Sequence, residues 1–200
     1  MKKLNIVDIL KKIKTERLKI FTVLDFQRLF AVNYQQAKRL INRYVQKEIF
    51  LKLRKGLYCL KENRPGDFEI SNALCNPSYI SFETALSFYG LIPETVYEIT
   101  AATTRFSKSF VIENLKFSYR KLKKDYFFGY KTEKTKGSII LIAEPEKALL
   151  DTIYLFSFGK GNLPERIKLE KIDKNKLLSY AKRINSSRLL KIIYKIYDRD

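Results

Sequence analysis

The residues best suited to chemistry stand close together in one run, Gln35-Gln36-Ala37-Lys38-Arg39-Leu40-Ile41-Asn42-Arg43. Glutamine and asparagine amides pair bidentately with adenine, and an arginine guanidinium with guanine, when a helix lies in the major groove of duplex DNA. On a helix Gln35, Gln36, Arg39, Asn42 and Arg43 share one broad face, and Lys38 suits a phosphate contact. Further along, Arg54-Lys55-Gly56 makes a basic tip fit to grip the backbone or enter a minor groove. Lys11, Lys12 and Lys14 add candidate phosphate contacts. The chemistry these residues offer is recognition of a polyanion; the same residue types also describe the solvated face of an ordinary three-helix unit.

The elements around the run would have to position it. Apolar residues at Ile6, Ile9, Leu10, Ile13 and Leu18 predict an amphipathic helix over Asn5–Leu18. Thr22 is placed to cap a short helix from Val23 to Phe30, and Asn33 one from Tyr34 to Lys47. In the latter, Ala37, Leu40, Ile41, Tyr44 and Val45 form the inward side. Phe50–Leu53 and Leu57–Leu60 read as strands joined at Arg54-Lys55-Gly56, where glycine supplies backbone freedom. Helix, turn, helix and basic hairpin are the parts of a winged helix-turn-helix. Lys61–Asp67, with Pro65 and Gly66, reads as a linker, giving a DNA-binding domain over 1–64 and a second domain over 65–200.

Charge distribution supports that division more than total charge does. The chain of 200 residues has a formal net charge of +19, but Lys, Ile, Asn and Tyr are abundant throughout. Residues 1–64 hold 17 Lys+Arg against 5 Asp+Glu, whereas residues 65–200 hold 23 against 16. No histidine is present, which excludes imidazole bases, Ser-His and Cys-His arrangements and most zinc chemistry. Cys59 and Cys75 match no metal or redox spacing. No apolar run approaches a membrane span, and Met1–Leu10 lacks the features of a signal peptide. A cytoplasmic protein with reduced thiols, no metal and no cofactor is expected.

In the second domain, Ser81 is placed to cap a helix from Phe82 to Tyr89, ended by Gly90 and Pro93. Val96–Thr103, Phe110–Tyr119, Tyr126–Tyr130 and Ser138–Ala143 read as strands, and Lys131–Gly137 as a charged turn. Pro145 opens a helix through Phe156. Asn162–Ile172 reads as irregular, and Lys174–Ile184 and Ser187–Tyr197 as terminal helices. The expected class is α+β, a winged helix-turn-helix followed by a mixed α/β domain. Thr103, Thr104 and Arg105 end a strand beside a loop, a favourable place for function. Lys147 and Asp151 are four apart on the Pro145 helix and suit either chemistry or a simple pair. Lys116–Lys136 holds eight Lys+Arg against two Asp+Glu, a stretch able to meet DNA, RNA or an acidic protein, or to be a solvated hairpin.

Four stretches together resemble the AbiEi-type antitoxins, regulators of viral defence operons. Arg54-Lys55-Gly56-Leu57-Tyr58-Cys59-Leu60 resembles the family's wing ending. Tyr79-Ile80-Ser81-Phe82-Glu83-Thr84-Ala85-Leu86-Ser87-Phe88-Tyr89-Gly90-Leu91 resembles the helix opening its second domain. Thr100-Ala101-Ala102-Thr103-Thr104-Arg105 resembles the following strand, and Ile142-Ala143-Glu144-Pro145-Glu146-Lys147-Ala148-Leu149-Leu150-Asp151 the late helix. The match covers Leu24 to Tyr154; the segment beyond Phe156 carries no matching motif. The resemblance implies an antitoxin and autorepressor of a type IV toxin–antitoxin operon. Its N-terminal domain would bind inverted repeats in the promoter, and its C-terminal domain would counteract a nucleotidyltransferase-like toxin without a stable complex. Thr103, Thr104, Arg105, Lys147 and Asp151 become the candidate antitoxin residues.

Three other readings compete. Gly137-Ser138 is the kind of pair that opens a nucleotidyltransferase site, yet no Asp-x-Asp pair follows at useful spacing to hold metal ions, and no phosphate-binding glycine loop is present. The chain is therefore not expected to be an enzyme. A stand-alone regulator with a ligand-sensing or dimerising second domain is the alternative to the antitoxin. RNA is a weaker target than DNA, because a helix does not fit the deep, narrow major groove of RNA duplexes.

Overall fold

The computed structural model describes residues 4–94, 96–135 and 137–198. The chain is mixed α+β, with eight α-helices and two sheets among these residues. It divides into two compact units that part between Leu74 and Cys75.

The first unit begins with α1 (Ile6–Thr15), capped by the Asn5 side chain and burying Ile9 and Ile13. A short strand β1 (Ile20–Thr22) leads into α2 (Val23–Phe30). Thr22 and Asp25 cap α2 reciprocally: the Thr22 N–H donates to Asp25 Oδ2 at 2.8 Å, and the Asp25 N–H to Thr22 Oγ1 at 3.2 Å. Each satisfies one of the amides a helix start leaves orphaned. Ala31, at φ +50°, ends α2 in the left-handed region, and α3 (Tyr34–Gln46) follows. Strands β2 (Phe50–Arg54) and β3 (Leu57–Leu60) form a hairpin, and the antiparallel order is β1-β3-β2. Phe21, Phe26, Tyr44 and Phe50 meet at the centre, with the Phe21–Phe50 and Tyr44–Phe50 rings edge-on at 5.1 and 5.4 Å. Fully burying each phenylalanine ring stabilises the unit by ~1.5–3 kcal/mol.

The expected linker is not the end of this unit. Arg64 pairs with Asp67 at 2.8 Å, and the chain enters α4 (Asp67–Leu74). Lys19 reaches Glu69 at 3.3 Å, and Arg54 Nε donates to the Leu74 carbonyl at 3.1 Å. These contacts hold α4 to the first unit, so the division falls after Leu74.

The second unit opens with β4 (Ser78–Ile80), α5 (Phe82–Phe88) and β5 (Glu98–Thr103). The stretch expected as one strand over Phe110–Tyr119 is a hairpin, β6 (Lys108–Ile112) and β7 (Leu115–Lys121). Glu113 and Asn114 turn it at φ +47° and +71°, a two-residue loop in which both central residues are left-handed. Tyr126–Tyr130 is not a strand. A 3₁₀ turn over Lys124–Tyr126 precedes β8 (Tyr130–Thr135), so most of the expected charged turn is strand. Strand β9 (Ser138–Ala143) and helix α6 (Pro145–Ser157) follow. A second 3₁₀ turn, Leu169–Lys171, leads to α7 (Lys174–Arg183) and α8 (Ser187–Tyr197). The sheet runs β6-β7-β5-β4-β9-β8, with β5 parallel to β7, β4 parallel to β9 and the other pairs antiparallel. Among the described residues no helix is long and apolar enough to cross a membrane.

Candidate functional site

Helix α3 starts where it does because Asn33 and Gln36 cap it reciprocally. The Gln36 N–H donates to Asn33 Oδ1 at 2.9 Å, and the Asn33 N–H to Gln36 Oε1 at 3.3 Å. Ala37, Ile41 and Tyr44 turn into the core. The 3.6-residue period then leaves Gln35, Lys38, Arg39, Asn42 and Arg43 outward, and all five are exposed. Gln36 is half-buried, and its amide oxygen is used at the cap. It is therefore less available to a base than the other five.

The electrostatics of this face suit a polyanion. No acid lies in the first turn of α3. Three carboxylates of the first unit are engaged elsewhere: Glu62 with Lys14 at 3.4 Å, Glu48 with Lys61 at 3.3 Å and Glu69 with Lys19 at 3.3 Å. Among the described residues Lys38, Arg39 and Arg43 make no ion pair. Their charge is uncompensated, and it sits in solvent on one helical face, the condition for counterion release on a phosphate backbone.

At the hairpin tip Gly56 takes φ +79° with open space around it, so its backbone conformation rather than crowding calls for glycine. Lys55 is exposed and makes no ion pair among the described residues. Arg54 is exposed but tethered, with Nε on the Leu74 carbonyl at 3.1 Å and Nη1 on the Lys55 carbonyl at 3.2 Å. Of the N-terminal lysines, Lys14 pairs with Glu62 and Lys12 lies 5.6 Å over the Phe30 ring, while Lys11 is exposed and makes no ion pair among the described residues.

The candidates of the second unit do not gather into one open site. Lys147 and Asp151 are 0% and 2% exposed and pair with each other across one turn of α6. Asp151 Oδ2 also accepts from the Tyr79 hydroxyl at 2.9 Å and the Ser81 hydroxyl at 2.8 Å. Lys147 Nζ donates to the Tyr79 hydroxyl oxygen at 2.9 Å. Burial pushes the Lys147 ammonium down and the Asp151 carboxyl up, and each is drawn back by the other's charge. Burial, with the Asp151 charge behind it, holds the Tyr79 phenol well above its ordinary value. The Tyr130 ring stacks on Tyr79 at 4.7 Å, and Lys147 lies 5.2 Å from the Phe128 ring. At Gly129, φ +68°, an added methyl would stand 3.1 Å from the Lys147 stem and the Tyr180 ring. The cluster is closed over, and each of its polar atoms has a hydrogen-bond partner, which is the form in which a buried ion pair is tolerated.

Ser81 corrects the sequence expectation: its hydroxyl makes no cap bond to α5 and donates to Asp151 instead. Tyr79 and Ser81 were not among the candidate residues. They stand two apart at β4, so strand alternation puts both on one face, but nothing local marks Asp151 as their acceptor.

Thr103, Thr104 and Arg105 belong to a different network. Thr103 is buried; its hydroxyl donates to the Pro77 carbonyl at 2.7 Å and accepts from the Arg105 N–H at 3.1 Å. Arg105 Nε donates to the Asn76 carbonyl at 2.5 Å. Thr104 is half-buried and Arg105 exposed. Around the start of α6, Glu144 accepts from the Tyr180 hydroxyl and pairs with Lys176 at 3.3 Å. Burial works to raise the Glu144 carboxyl, but the Tyr180 hydrogen bond and the Lys176 charge outweigh it and hold it low. Burial, then the bond to Glu144, pushes Tyr180 up to about 12.

The basic stretch also separates into two parts. Lys116 pairs with Glu98 at 3.0 Å, Arg120 with Glu83 at 2.8 Å and Lys131 with Glu133 at 2.9 Å. Lys121, Lys123, Lys124 and Lys134 make no ion pair among the described residues; Lys136 lies outside them. Among the described residues no group of three or more Cys, Asp or Glu side chains is placed to hold a metal ion. No model of a known protein family matches the chain, and no curated protein matches it.

Proposed function

We propose that this chain is the antitoxin and autorepressor of a type IV, AbiE-like toxin–antitoxin operon in a bacterial cytoplasm. In this reading the first unit is a winged helix-turn-helix, with α2 and α3 as the helix pair, α3 as the recognition helix and the β2–β3 hairpin as the wing. It binds inverted repeats in the operon's promoter. The second unit counteracts a nucleotidyltransferase-like toxin without a stable complex, and the chain itself catalyses nothing and holds no cofactor.

The observation that carries the reading is the outward face of α3: three cations without an ion pair among the described residues and two exposed amides, Gln35 and Asn42, on a capped helix beside a basic hairpin. Cations without intrachain partners serve a polyanion, and amide side chains among them serve base edges. The antitoxin half rests on the sequence resemblance. Of its candidate residues, Thr104 and Arg105 are accessible, whereas Lys147 and Asp151 would act by holding the unit together.

A second reading has an observation of its own. A cavity of about 800 Å³ in the second unit is lined by Phe156, Leu163, Ile167 and Ile196 with Glu94 and Asn162. That size and mixed lining suit a small molecule, as a ligand-sensing stand-alone regulator would need. Co-expression separates the two. The full-length protein, expressed with the product of a neighbouring nucleotidyltransferase-like gene, is expected to restore growth. Continued growth arrest with both proteins present contradicts the antitoxin assignment.

A further inference from the structure

We propose that the second unit carries a separate surface for single-stranded nucleic acid at the end of its sheet where Phe106 stands. Strands β5 and β7 run parallel and finish side by side, with Thr103 opposite Lys121, and Lys108 opens β6 opposite Tyr119. This topology brings Arg105, Phe106, Lys108, Lys121, Lys123 and Lys124 to one end of the sheet. All six are exposed. None of the five cations makes an ion pair among the described residues, unlike Lys116, Arg120 and Lys131 of the same sheet. The acids of this stretch are Asp125, beside the lysines, and Glu113, at the far turn of the β6–β7 hairpin.

Phe106 is 82% exposed, and the loop bearing it is held on both sides. Arg105 is fixed by Nε on the Asn76 carbonyl at 2.5 Å, and the Ser107 hydroxyl accepts from the Lys121 N–H at 3.0 Å. The Lys121 ammonium lies 4.8 Å from the Phe106 ring centroid. An aromatic ring presented to solvent on a fixed loop, ringed by uncompensated cations, matches what unpaired bases and their phosphates need: a stacking platform and a backbone track. A duplex keeps its bases stacked inside and offers the ring nothing, so the aromatic residue decides for a single strand. The surface is distinct from α3 and does not depend on the duplex-binding role proposed for it.

The test uses full-length protein and fluorescein-labelled oligo(U) and oligo(dT) of about 12 nucleotides, a length in the range one such surface covers. Fluorescence anisotropy is measured beside binding of a random-sequence duplex. Phe106→Ala is expected to weaken single-strand binding about tenfold, the loss of one base stack, with Phe106→Tyr retaining it. Lys121→Ala/Lys123→Ala/Lys124→Ala is expected to weaken it further, while duplex binding by Phe106→Ala stays at the wild-type level. The two oligonucleotides show which sugar the surface prefers. The proposal is overturned if the wild-type protein does not bind either oligonucleotide, if Phe106→Ala binds them as wild type does, or if it loses duplex and single strand alike. Exposure of Phe106 makes unfolding by its truncation unexpected, and thermal melting of the variant checks that.

Discussion

Asp151→Ala is expected to destabilise the second unit by ~3–5 kcal/mol, the loss typical when one partner of a buried pair is removed. Three donors converge on that carboxylate, from Lys147, Tyr79 and Ser81. Its removal strands an ammonium in a site that water does not reach, together with two buried hydroxyls. Lys147, already pushed down by burial, would then lose the charge that draws it back. The double variant Lys147→Met/Asp151→Asn should lose less than the sum of its single variants. No charge is left alone in it, and the asparagine oxygen still accepts from Tyr79 and Ser81. Urea unfolding of the four proteins as a double-mutant cycle measures that coupling. A folded double variant that still protects cells from the toxin would assign the pair to architecture. An Asp151→Ala midpoint equal to wild type would contradict the packing described here.

Arg39→Ala and Arg43→Ala are each expected to weaken binding of promoter duplex by ~1–3 kcal/mol, about fivefold to more than a hundredfold, without changing the melting temperature. Both side chains are exposed and neither makes an ion pair among the described residues, so truncation removes nothing the fold uses. Gln36→Ala is a poorer probe of recognition. Its side chain accepts from the Asn33 N–H at the start of α3, half of a reciprocal cap, so a change in binding would be mixed with a change in folding. Electrophoretic mobility shift with parallel melting curves distinguishes the two kinds of variant. Wild-type binding by Arg39→Ala/Arg43→Ala would remove α3 from the interface.

The first unit was the more legible in sequence because its signals are local. Thr22 and Asn33 each precede an apolar run at helical period, and Arg54-Lys55-Gly56 separates two apolar segments. What escaped was short or weakly patterned: β1 and β4 have three residues each, too few for a period to show, and α4 is preceded by Gly66, which has no side chain to signal a cap. In the second unit the misread segments lie toward the sheet edges. Tyr130–Thr135, an edge strand rich in Lys and Thr, has no apolar alternation and reads as a turn, as strands protected against edge pairing often do. Glu113 and Asn114 carry little turn signal beyond the asparagine, so two strands read as one. The candidate residues were harder still. Ser81 looks like a cap because its neighbours are helical, and only the packing of α6 against β4 shows that its hydroxyl serves Asp151. The difference between paired Lys116 and unpaired Lys121 is likewise tertiary, since Glu98 lies on another strand.

The most direct test of the central claim is the salt dependence of duplex binding. Neutralising about six phosphates predicts that log affinity for promoter DNA falls against log salt with a slope near −5. The slope should become shallower in Arg39→Ala/Arg43→Ala, with the wild-type protein favouring its own promoter over random duplex at every salt. A nearly flat slope, or equal binding to the two duplexes, would contradict sequence-specific DNA recognition by the α3 face.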